Sequence, residues 1–311
     1  MEVIRGLEPL ARSPRPVTLA LGMFDGVHLG HQAVLARAKD AAALTGGAAG
    51  VVTFDPHPQR VIAPPPDPIL LTTVEERLDL FASLGMDVAA VLRFDETLRH
   101  TPPKEWLRLL AEAARGGVVA SSGYTFGEDR GGTAETLVNG GGRMGFGVTI
   151  VPLLRVAGTL VSSTLIRRLV RGGKMDEAPS FLGRRYAVRG RVVEGARRGR
   201  TLGFPTTNLE VDPDKILPAR GIYAGWARRE PGEMMEAAVS VGVRPTFGHG
   251  ALLVEAHLLD FSGDLYGEEI ELVFASRLRE EVAFHTVSDL VEQMERDVLQ
   301  VREALARVGP A

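Results

Sequence analysis

Short apolar runs alternate with helical patterns along the first half of the chain. The apolar runs cover residues 17–21, 51–54, 88–92, 118–120 and 148–153, and each has the length of a β-strand. The helical patterns cover residues 31–44, 73–84, 104–114 and 163–170, with a Thr-Val-Glu-Glu capping box opening the second and Ser163 capping the last. Strands and helices that alternate at this spacing predict βαβ units and a parallel sheet.

The pattern changes after about residue 183, where β-like segments follow one another with no helical pattern between them. These segments cover residues 186–194, 222–228, 236–243, 252–259 and 270–275. Together they predict an antiparallel barrel or sandwich. Apolar residues then recur at helical spacing from Val287 to Leu305, which predicts a closing amphipathic helix of about five turns.

Glycine- and proline-rich stretches mark the loops and the domain boundary. Residues 63–68 predict an extended loop, and residues 140–147 predict a second loop with hairpin character. Two glycines and Pro179 interrupt the pattern within residues 172–183. We therefore expect an α/β domain over residues 1–178 and a β-domain over residues 184–311.

Composition narrows the possible functions. The 311 residues include no Cys, which excludes disulfides, zinc–thiolate sites, iron–sulfur clusters and thiol catalysis. The 36 basic and 39 acidic residues leave a net charge of −3, which does not favour a general nucleic-acid binder. No apolar run approaches the roughly 18 residues of a membrane span, and no signal peptide is evident. We expect a soluble cytoplasmic protein with no membrane partner.

The first candidate site is the run Gly22-Met-Phe-Asp-Gly-Val-His-Leu-Gly-His31, between the first expected strand and the first expected helix. Ligands of open α/β sheets bind at the carboxyl ends of the strands, where the following helix N-terminus favours anions. Gly30 permits a phosphate to approach the backbone, and His28 and His31 can donate hydrogen bonds to it. Such a histidine pair is also compatible with a metal site or a helix cap.

This run resembles the Gly-x-Phe-Asp-Gly-Val-His-x-Gly-His signature of the bacterial bifunctional riboflavin kinase/FMN adenylyltransferase (FAD synthetase) family. Three further segments resemble family motifs in the same order: Thr53-Phe-Asp-Pro-His-Pro58, Tyr124-Thr-Phe-Gly127 with a later Gly-Gly pair, and Ser162-Ser-Thr-Leu-Ile-Arg167. The resemblance extends over nearly the whole chain. It implies a Rossmann-like His-x-Gly-His nucleotidyltransferase domain followed by an antiparallel β-barrel kinase domain with a C-terminal helix.

The resemblance implies that the terminal phosphate of FMN attacks the α-phosphorus of ATP, which yields FAD and pyrophosphate. The implied catalytic residues are His28, His31 and Arg167. The implied nucleotide-binding residues of this domain are Gly22, Phe24, Asp25, Gly30, Ser163 and Thr164, and the implied flavin-binding residues are His57, Tyr124 and Phe126. Hydroxyls at a helix start with an arginine one turn on suit a phosphate clamp, although a plain serine cap with a solvated arginine remains an alternative.

The second candidate site is Leu202-Gly-Phe-Pro-Thr-Thr-Asn208, which resembles the family's Gly-(Phe/Ile)-Pro-Thr-Ala-Asn motif. Thr206 and Asn208 point the same way on a strand and offer the neutral oxygens that Mg²⁺ takes beside ATP. Gly203 is the implied nucleotide contact. Residues 242–248 and 253–261 also match the kinase module. Glu255, on its own an ordinary outward-facing strand acid, becomes by resemblance the general base that deprotonates the ribityl 5′-hydroxyl of riboflavin.

Three smaller expectations concern the remainder of the kinase module. Arg279 lies in a segment that resembles one near the flavin, so the resemblance implies a substrate contact. His257 is expected to pack or cap rather than react. The stretch 184–200 holds seven Arg and one acid, so it could bind RNA. Proteins that bind single strands stack bases on a series of aromatic side chains, and this stretch has only Tyr186. We therefore assign the stretch to nucleotide phosphates.

The chain departs from the family pattern at three positions. Met23 and Thr207 replace a frequent Asn and Ala, and neither change is expected to disturb its site. Gly123 stands where the family has Asp or Asn, so a side-chain hydrogen bond to flavin or ATP must be lost or replaced. Two alternatives follow: a riboflavin kinase with weak or lost adenylyltransferase activity, and a non-catalytic flavin- or RNA-binding protein.

Overall fold

This computed structural model describes residues 1–64, 69–195, 203–229, 232–243 and 252–309. The chain divides into two compact units, Met1–Ser163 and Thr164–Ala311. The expected extended loop at residues 63–68, the basic stretch at 184–200 and the motif at 242–248 lie partly outside the described residues. No helix among the described residues is long and apolar enough to cross a membrane.

The first unit is built on a parallel sheet. Its strands are β1 (Glu2–Arg5), β2 (Val17–Leu21), β3 (Ala48–Asp55), β4 (Val88–Arg93), β5 (Gly117–Ser121) and β8 (Val148–Val151). Among the described residues they pair in the order β1-β4-β3-β2-β5-β8, all in parallel. The five strands expected from the sequence are confirmed; β1 is an additional edge strand.

Helices and short hairpins connect these strands. The helices are α1 (Glu8–Ala11), α2 (Leu29–Leu44), α3 (Pro58–Ile62), α4 (Val74–Ser83), α5 (Glu96–Arg99), α6 (Pro103–Ala113) and α7 (Ala134–Met144); α8 (Ser163–Arg171) begins at the last residue of this unit and belongs mainly to the second. The hairpins are β6 (Thr125–Phe126) with β7 (Gly132–Thr133), and β9 (Arg155–Val156) with β10 (Thr159–Leu160). The capping box of α4 is confirmed, because Thr73 accepts from the Glu76 amide at 3.3 Å and Glu76 accepts from the Thr73 amide at 2.9 Å.

The two faces of the sheet are both covered, as a parallel sheet requires. Alternate residues of β2 enter two separate apolar clusters, with Leu19 and Leu21 in one and Ala20 in the other. Trp106 of α6 lies in the first cluster, and Val34 of α2 lies in the second. Because side chains along a strand alternate between faces, these clusters are the two cores of the unit.

The expected loop at residues 140–147 is wrong, because Ala134–Met144 forms α7. A methyl group on Gly140 would lie 2.4 Å from Cδ1 of Leu107, and Gly141 is also buried. Helix α7 therefore packs against its neighbours more closely than larger residues would allow. This packing offsets the low helix propensity of glycine, which was the basis of the loop expectation.

The second unit contains a closed antiparallel barrel. Its strands are β11 (Ala187–Val193), β12 (Thr207–Val211), β13 (Gly221–Arg229), β14 (Glu233–Val243), β15 (Leu252–Leu258) and β16 (Glu269–Arg279), in the order β11-β12-β15-β14-β13-β16. Helix α9 (Pro179–Leu182) precedes the barrel, and α10 (Val287–Ala306) follows it. Val301 and Leu305 of α10 are buried against barrel residues such as Trp226. The barrel and the closing helix are both confirmed.

Candidate functional sites

The turn between β2 and α2 has an unusual backbone. Phe24 and Val27 have φ angles of +56° and +39°, and Gly26 between them has +83°. Left-handed backbone is rare for a β-branched residue such as valine and costs on the order of 1–3 kcal/mol per residue. The turn therefore requires strong contacts from other segments to keep this conformation.

The segment before α4 supplies part of this support. The buried carboxylate of Asp25 accepts hydrogen bonds from the amides of Leu71 and Thr72, both at 3.0 Å. The Thr72 hydroxyl accepts from the Gly26 amide at 2.9 Å. The Ser163 hydroxyl, at the start of α8, donates to the Asp25 carbonyl at 2.9 Å. The Asp25 side chain thus ties the turn to neighbouring backbone, and a nucleotide contact by this residue stays a prediction.

A buried guanidinium supports the start of the same turn. Nη1 of Arg77 donates to the Met23 carbonyl at 3.1 Å and to the Thr53 hydroxyl at 2.7 Å, and that hydroxyl donates to the Met23 carbonyl at 2.8 Å. Burial lowers the pKa of Arg77, an effect that the nearby Asp25 and Asp55 carboxylates oppose. Nη1 of Arg77 also lies 3.8 Å from the Met23 sulfur, but the shorter contacts use the Met23 backbone carbonyl, which any residue at this position would offer.

The two imidazoles of the His-x-Gly-His motif lie against each other. His28 is the N-cap of α2, and its Nδ1 accepts from the His31 amide at 3.2 Å. The rings are stacked with centroids 3.5 Å apart and an interplanar angle of 16°, and Phe24 meets His31 edge-on. Because Nδ1 of His28 accepts, the neutral ring carries its proton on Nε2. A methyl group on Gly30 would lie 3.2 Å from this ring, so glycine leaves the rings their space.

His28 therefore caps helix α2, which was one of the alternatives for this histidine pair. Its role in the chemistry stays a prediction. Within the described residues, no group of three or more histidine or acidic side chains is arranged to hold a metal ion. An imidazole N–H such as Nε2–H is a donor that suits a phosphate oxygen. Two imidazoles at a helix N-terminus can thus donate to an anion.

The predicted phosphate clamp lies on the first two turns of α8. Ser163 is the first helical residue and half-buried, Thr164 is exposed, and Arg167 lies one turn further along and is half-buried. Residues four apart in a helix share a face, so Ser163 and Arg167 lie on one side of α8. No acid lies in the first turn of this helix, and its N-terminus favours anions.

The predicted flavin contacts of the first unit belong to two segments. Tyr124 and Phe126 stack with ring centroids 5.6 Å apart, and burial raises the pKa of the Tyr124 phenol, an effect that the Trp106 indole partly offsets. His57 is the N-cap of α3 and accepts from the Gln59 amide at 3.1 Å. Both segments follow the carboxyl ends of parallel strands, β5 and β3, at the same edge of the sheet as the turn after β2.

Gly123 lies in an exposed position with room for a side chain. A Cβ there would lie 3.5 Å and 3.8 Å from the two methyl groups of Leu153, which is ordinary van der Waals contact, and its φ is outside the left-handed region. Neither packing nor backbone conformation therefore requires glycine at this position. The departure from the family's Asp or Asn is a difference in polar chemistry rather than in backbone conformation.

In the second unit the strand register brings the predicted kinase residues together. Asn208 on β12 is the cross-strand partner of Glu255 on β15, so their side chains share a face of the barrel. Asn208 is only 4% exposed, Glu255 is half-buried, and Thr206 directly precedes β12. A methyl group on Gly195 would lie 2.0 Å from Nδ2 of Asn208, so the amide fills the space beside that glycine.

The segment before β12 is held by a histidine. Nδ1 of His257 lies 2.8 Å from the Pro205 carbonyl, and the ring meets Phe204 edge-on at 5.3 Å. The expectation that His257 packs or caps is confirmed. Gly203 is exposed and has a φ of +86°, a conformation that suits glycine. A groove of about 300 Å³ runs from Phe204 and His257 to Leu299 on α10.

Arg279 has a structural partner. Its Nε and Nη2 donate to the two carboxylate oxygens of Asp297 at 2.8 and 2.6 Å, and Nη1 donates to the Glu280 carbonyl at 2.9 Å. This bidentate pair joins β16 to α10. A flavin contact by Arg279 stays a prediction.

Two arginines in the described part of the basic stretch contact side chains of the barrel. The Arg185 guanidinium lies 5.2 Å from the centre of the Trp226 ring, and Arg189 pairs with Glu269 at 3.7 Å. Thr207, which stands where the family motif has Ala, donates to the Ala256 carbonyl at 3.0 Å. These side chains contribute to barrel packing.

Sequence reasoning missed Arg77 and Thr72, the residues that hold the turn after β2. Arg77 lies between Val74 and Phe81 at helical spacing, on the face of α4 that is buried. A charged residue on an otherwise apolar stripe is the signal that could have identified it. Thr72 carries no comparable signal, because its role depends on a segment 46 residues away.

Comparisons with known proteins find relatives of both units. The family model described as FAD synthetase matches residues 10–165, and the one described as riboflavin kinase matches residues 182–305. A Listeria monocytogenes protein named bifunctional riboflavin kinase/FMN adenylyltransferase is 38% identical over 93% of both chains, and the Escherichia coli K12 protein of that name is 32% identical over 100% of both. A crystal structure described as a macrolide-efflux protein from Streptococcus pneumoniae has a TM-score of 0.87 at 30% identity, covering 97% of this chain and 99% of that one.

Proposed function

The chain belongs to the bifunctional riboflavin kinase/FMN adenylyltransferase family, and we propose that its two reactions take place at the two residue clusters described above. The protein phosphorylates riboflavin to FMN and adenylylates FMN to FAD. We assign the second reaction to residues 1–178 and the first to residues 184–311. The two family models support this division, because one ends at residue 165 and the other begins at residue 182.

For FAD formation, a terminal phosphate oxygen of FMN attacks the α-phosphorus of ATP, the bond from that phosphorus to the bridging oxygen breaks, and pyrophosphate leaves. Nε2–H of His28 and the His31 ring donate to the transferring phosphoryl group, where negative charge is redistributed. Arg167, Ser163 and Thr164 hold the β- and γ-phosphates at the start of α8. No protein nucleophile is needed, because positioning and electrostatics carry the step.

The remaining predicted residues of this site bind or position the substrates. Gly22, Phe24 and Gly30 shape the backbone beside the phosphates, while the buried carboxylate of Asp25 positions the turn. The half-buried ring of Tyr124 offers a stacking surface for the flavin, the buried ring of Phe126 packs against Tyr124, and His57 contributes a contact from the N-terminus of α3. What supports this is their common origin in loops at the carboxyl edge of the sheet.

For FMN formation, Glu255 accepts the proton of the ribityl 5′-hydroxyl as that oxygen attacks the γ-phosphorus of ATP and ADP leaves. Thr206 and Asn208 fit Mg²⁺, since both offer neutral oxygens, Asn208 directly across from this carboxylate and Thr206 just before the strand begins. The ion neutralises charge on the ATP phosphates when bound. Gly203 lets the backbone approach those phosphates, and Arg279 borders the flavin.

Two observations carry the proposal: the stacked histidine pair at the N-terminus of α2, and the cross-strand pairing of Asn208 with Glu255. The test is incubation of the protein with riboflavin, ATP and Mg²⁺, followed by separation of the flavins. We expect FMN first and FAD later, and neither when EDTA replaces Mg²⁺. FMN without FAD would contradict the adenylyltransferase assignment, and product in the presence of EDTA would contradict the Mg²⁺ assignment.

A further inference from the structure

The buried guanidinium of Arg77 contacts the residue at which the histidine-bearing turn begins. Arg77 is 1% exposed, and it crosses from α4 to two other segments. Its Nη1 donates to the Met23 carbonyl at 3.1 Å and to the Phe54 carbonyl at 3.3 Å, while Nε donates to the Thr73 carbonyl at 3.3 Å. One side chain thus joins the end of β3, the start of α4 and the turn after β2.

The Thr53 hydroxyl completes this arrangement. It accepts from Nη1 of Arg77 at 2.7 Å and donates to the Met23 carbonyl at 2.8 Å, so that carbonyl receives two donors. Thr53 is fully buried. Both donors act on the peptide unit directly before Phe24, the first residue of the turn with a left-handed backbone. Their combined effect is to fix where the strained segment begins.

We propose that Arg77 is a positioning residue for adenylyl transfer: with Thr53 it fixes the Met23 carbonyl and thereby the turn that places His28 and His31. The proposal rests on the assignment of these histidines to FAD formation. Without the two donors, the turn can relax towards unstrained backbone, and the imidazoles then move relative to the α-phosphorus. A displacement of about 1 Å at a catalytic group can lower a rate about 100-fold.

The hydrogen-bond partners of Arg77 distinguish it from an arginine that forms a surface ion pair. The oxygens that accept from it belong to backbone carbonyls and one hydroxyl, none of them a carboxylate. The planar fork of a guanidinium can reach several such acceptors at once, whereas a lysine ammonium on a flexible stem reaches fewer. Three of the acceptors share Nη1 and the Thr73 carbonyl accepts from Nε, so two nitrogens of one planar group contact different segments, and a lysine has no second nitrogen to replace Nε.

The principal test compares Arg77→Met and Arg77→Lys with Arg108→Met, which removes an exposed guanidinium from α6. FAD formation from FMN and FMN formation from riboflavin are measured for each, with KM for ATP. We expect Arg77→Met to lower kcat for FAD formation about 100-fold with a smaller change in KM, because the histidines act in the transition state. Arg77→Lys should recover part of the lost kcat. FMN formation by both Arg77 variants should match that of the unsubstituted protein, and Arg108→Met should match it in both activities.

Thr53→Val provides a second variant that leaves Arg77 in place. It removes one of the two donors to the Met23 carbonyl, and we expect kcat for FAD formation to fall about ten-fold, as for one lost hydrogen bond. A folded Thr53→Val or Arg77→Met protein that makes FAD at the unsubstituted rate would overturn the proposal. So would an equal loss of both activities, which would indicate general destabilisation. If Arg77→Met does not fold, Thr53→Val decides. Failure of the unsubstituted protein to make FAD would instead contradict the proposed function.

Discussion

The two candidate sites are built in opposite ways. The histidines of the first unit follow a turn with left-handed backbone at Phe24 and Val27, and contacts from distant segments hold that turn in place. The kinase residues Asn208 and Glu255 lie on neighbouring strands of a closed barrel, where main-chain pairing alone places them opposite each other. A loop site thus depends on remote side chains, whereas a strand site depends on the ladder of backbone hydrogen bonds.

This difference determines where each site is vulnerable. A change of Arg77 or Thr72 leaves the predicted phosphate contacts in place but removes support for the turn. In the barrel site, the side-chain contacts beside the pair are Thr207 on the Ala256 carbonyl and His257 on the Pro205 carbonyl, and both join the same two segments that carry Asn208 and Glu255. Substitutions outside the contact residues should therefore impair FAD formation more readily than FMN formation.

The largest effect is expected for His28→Ala. The substitution removes both the Nε2 donor and the N-cap of α2, so FAD formation should fall by at least about 10³-fold while FMN formation continues. His100→Ala is the matched control, since His100 is exposed and pairs with Glu128. Chromatography of the flavins gives both rates. Loss of both activities in His28→Ala would show that the two sites are not independent.

A comparable effect in the other unit is expected for Glu255→Gln. The amide cannot accept the proton of the ribityl hydroxyl, so FMN formation should fall about 10²–10³-fold while added FMN is still converted to FAD. Glu269→Gln is the control, as an exposed acid on strand β16 of the same barrel, which pairs with β11 and β13 rather than with β15. Unchanged kinase turnover in Glu255→Gln would exclude Glu255 as the general base.

A smaller effect is expected for Gly195→Ala, which tests whether the Asn208 amide must keep its place. The added methyl group would lie 2.0 Å from Nδ2 of Asn208, so the amide has to move. We expect kinase activity to fall about ten-fold and the Mg²⁺ concentration for half-maximal rate to rise, because a displaced ligand binds the ion less well. Gly147→Ala is the control, since nothing lies within 4 Å of its Cβ. Identical Mg²⁺ dependence in both variants would contradict the ligand assignment.

The smallest effect is expected for Gly123→Asn, which restores the polar side chain that the family motif carries. The position has space for it, and one added hydrogen bond should raise kcat/KM for FAD formation by up to about ten-fold without altering FMN formation. Gly123→Ala adds the Cβ without the amide and serves as the control. Equal rates for the two variants would mean that no such hydrogen bond is missing.

The parts of the fold that the sequence predicted are those with local patterns. The apolar run of β2, the capping box of α4 and the stripe from Val287 to Leu305 each lie within one segment. Helix α7 was missed because Gly140 is selected by contact with Leu107, a residue far along the chain. Propensity describes a segment on its own and carries no information about such packing.

The same distinction applies to the sites. Motifs named His28 with His31 and Asn208 with Glu255, and the structure brings each pair together, because the first pair lies within one helical turn and the second faces across one strand pairing. The residues that support the turn after β2, such as Thr53, Thr72 and Arg77, come from other segments of the chain. The strand–helix pattern does not show that these segments contact the turn. Their roles became visible only from three-dimensional contacts, and Arg77 is the clearest example.

The central claim is that two separate sites in one chain perform successive reactions on the flavin. The most direct measurement supplies riboflavin, ATP and Mg²⁺ to His28→Ala, to Glu255→Gln and to an equimolar mixture of the two. We expect FMN alone from the first and no new flavin from the second. The mixture should produce FAD, because FMN released by one variant is adenylylated by the other. A mixture that accumulates FMN without FAD, or FAD from either variant alone, would contradict the account.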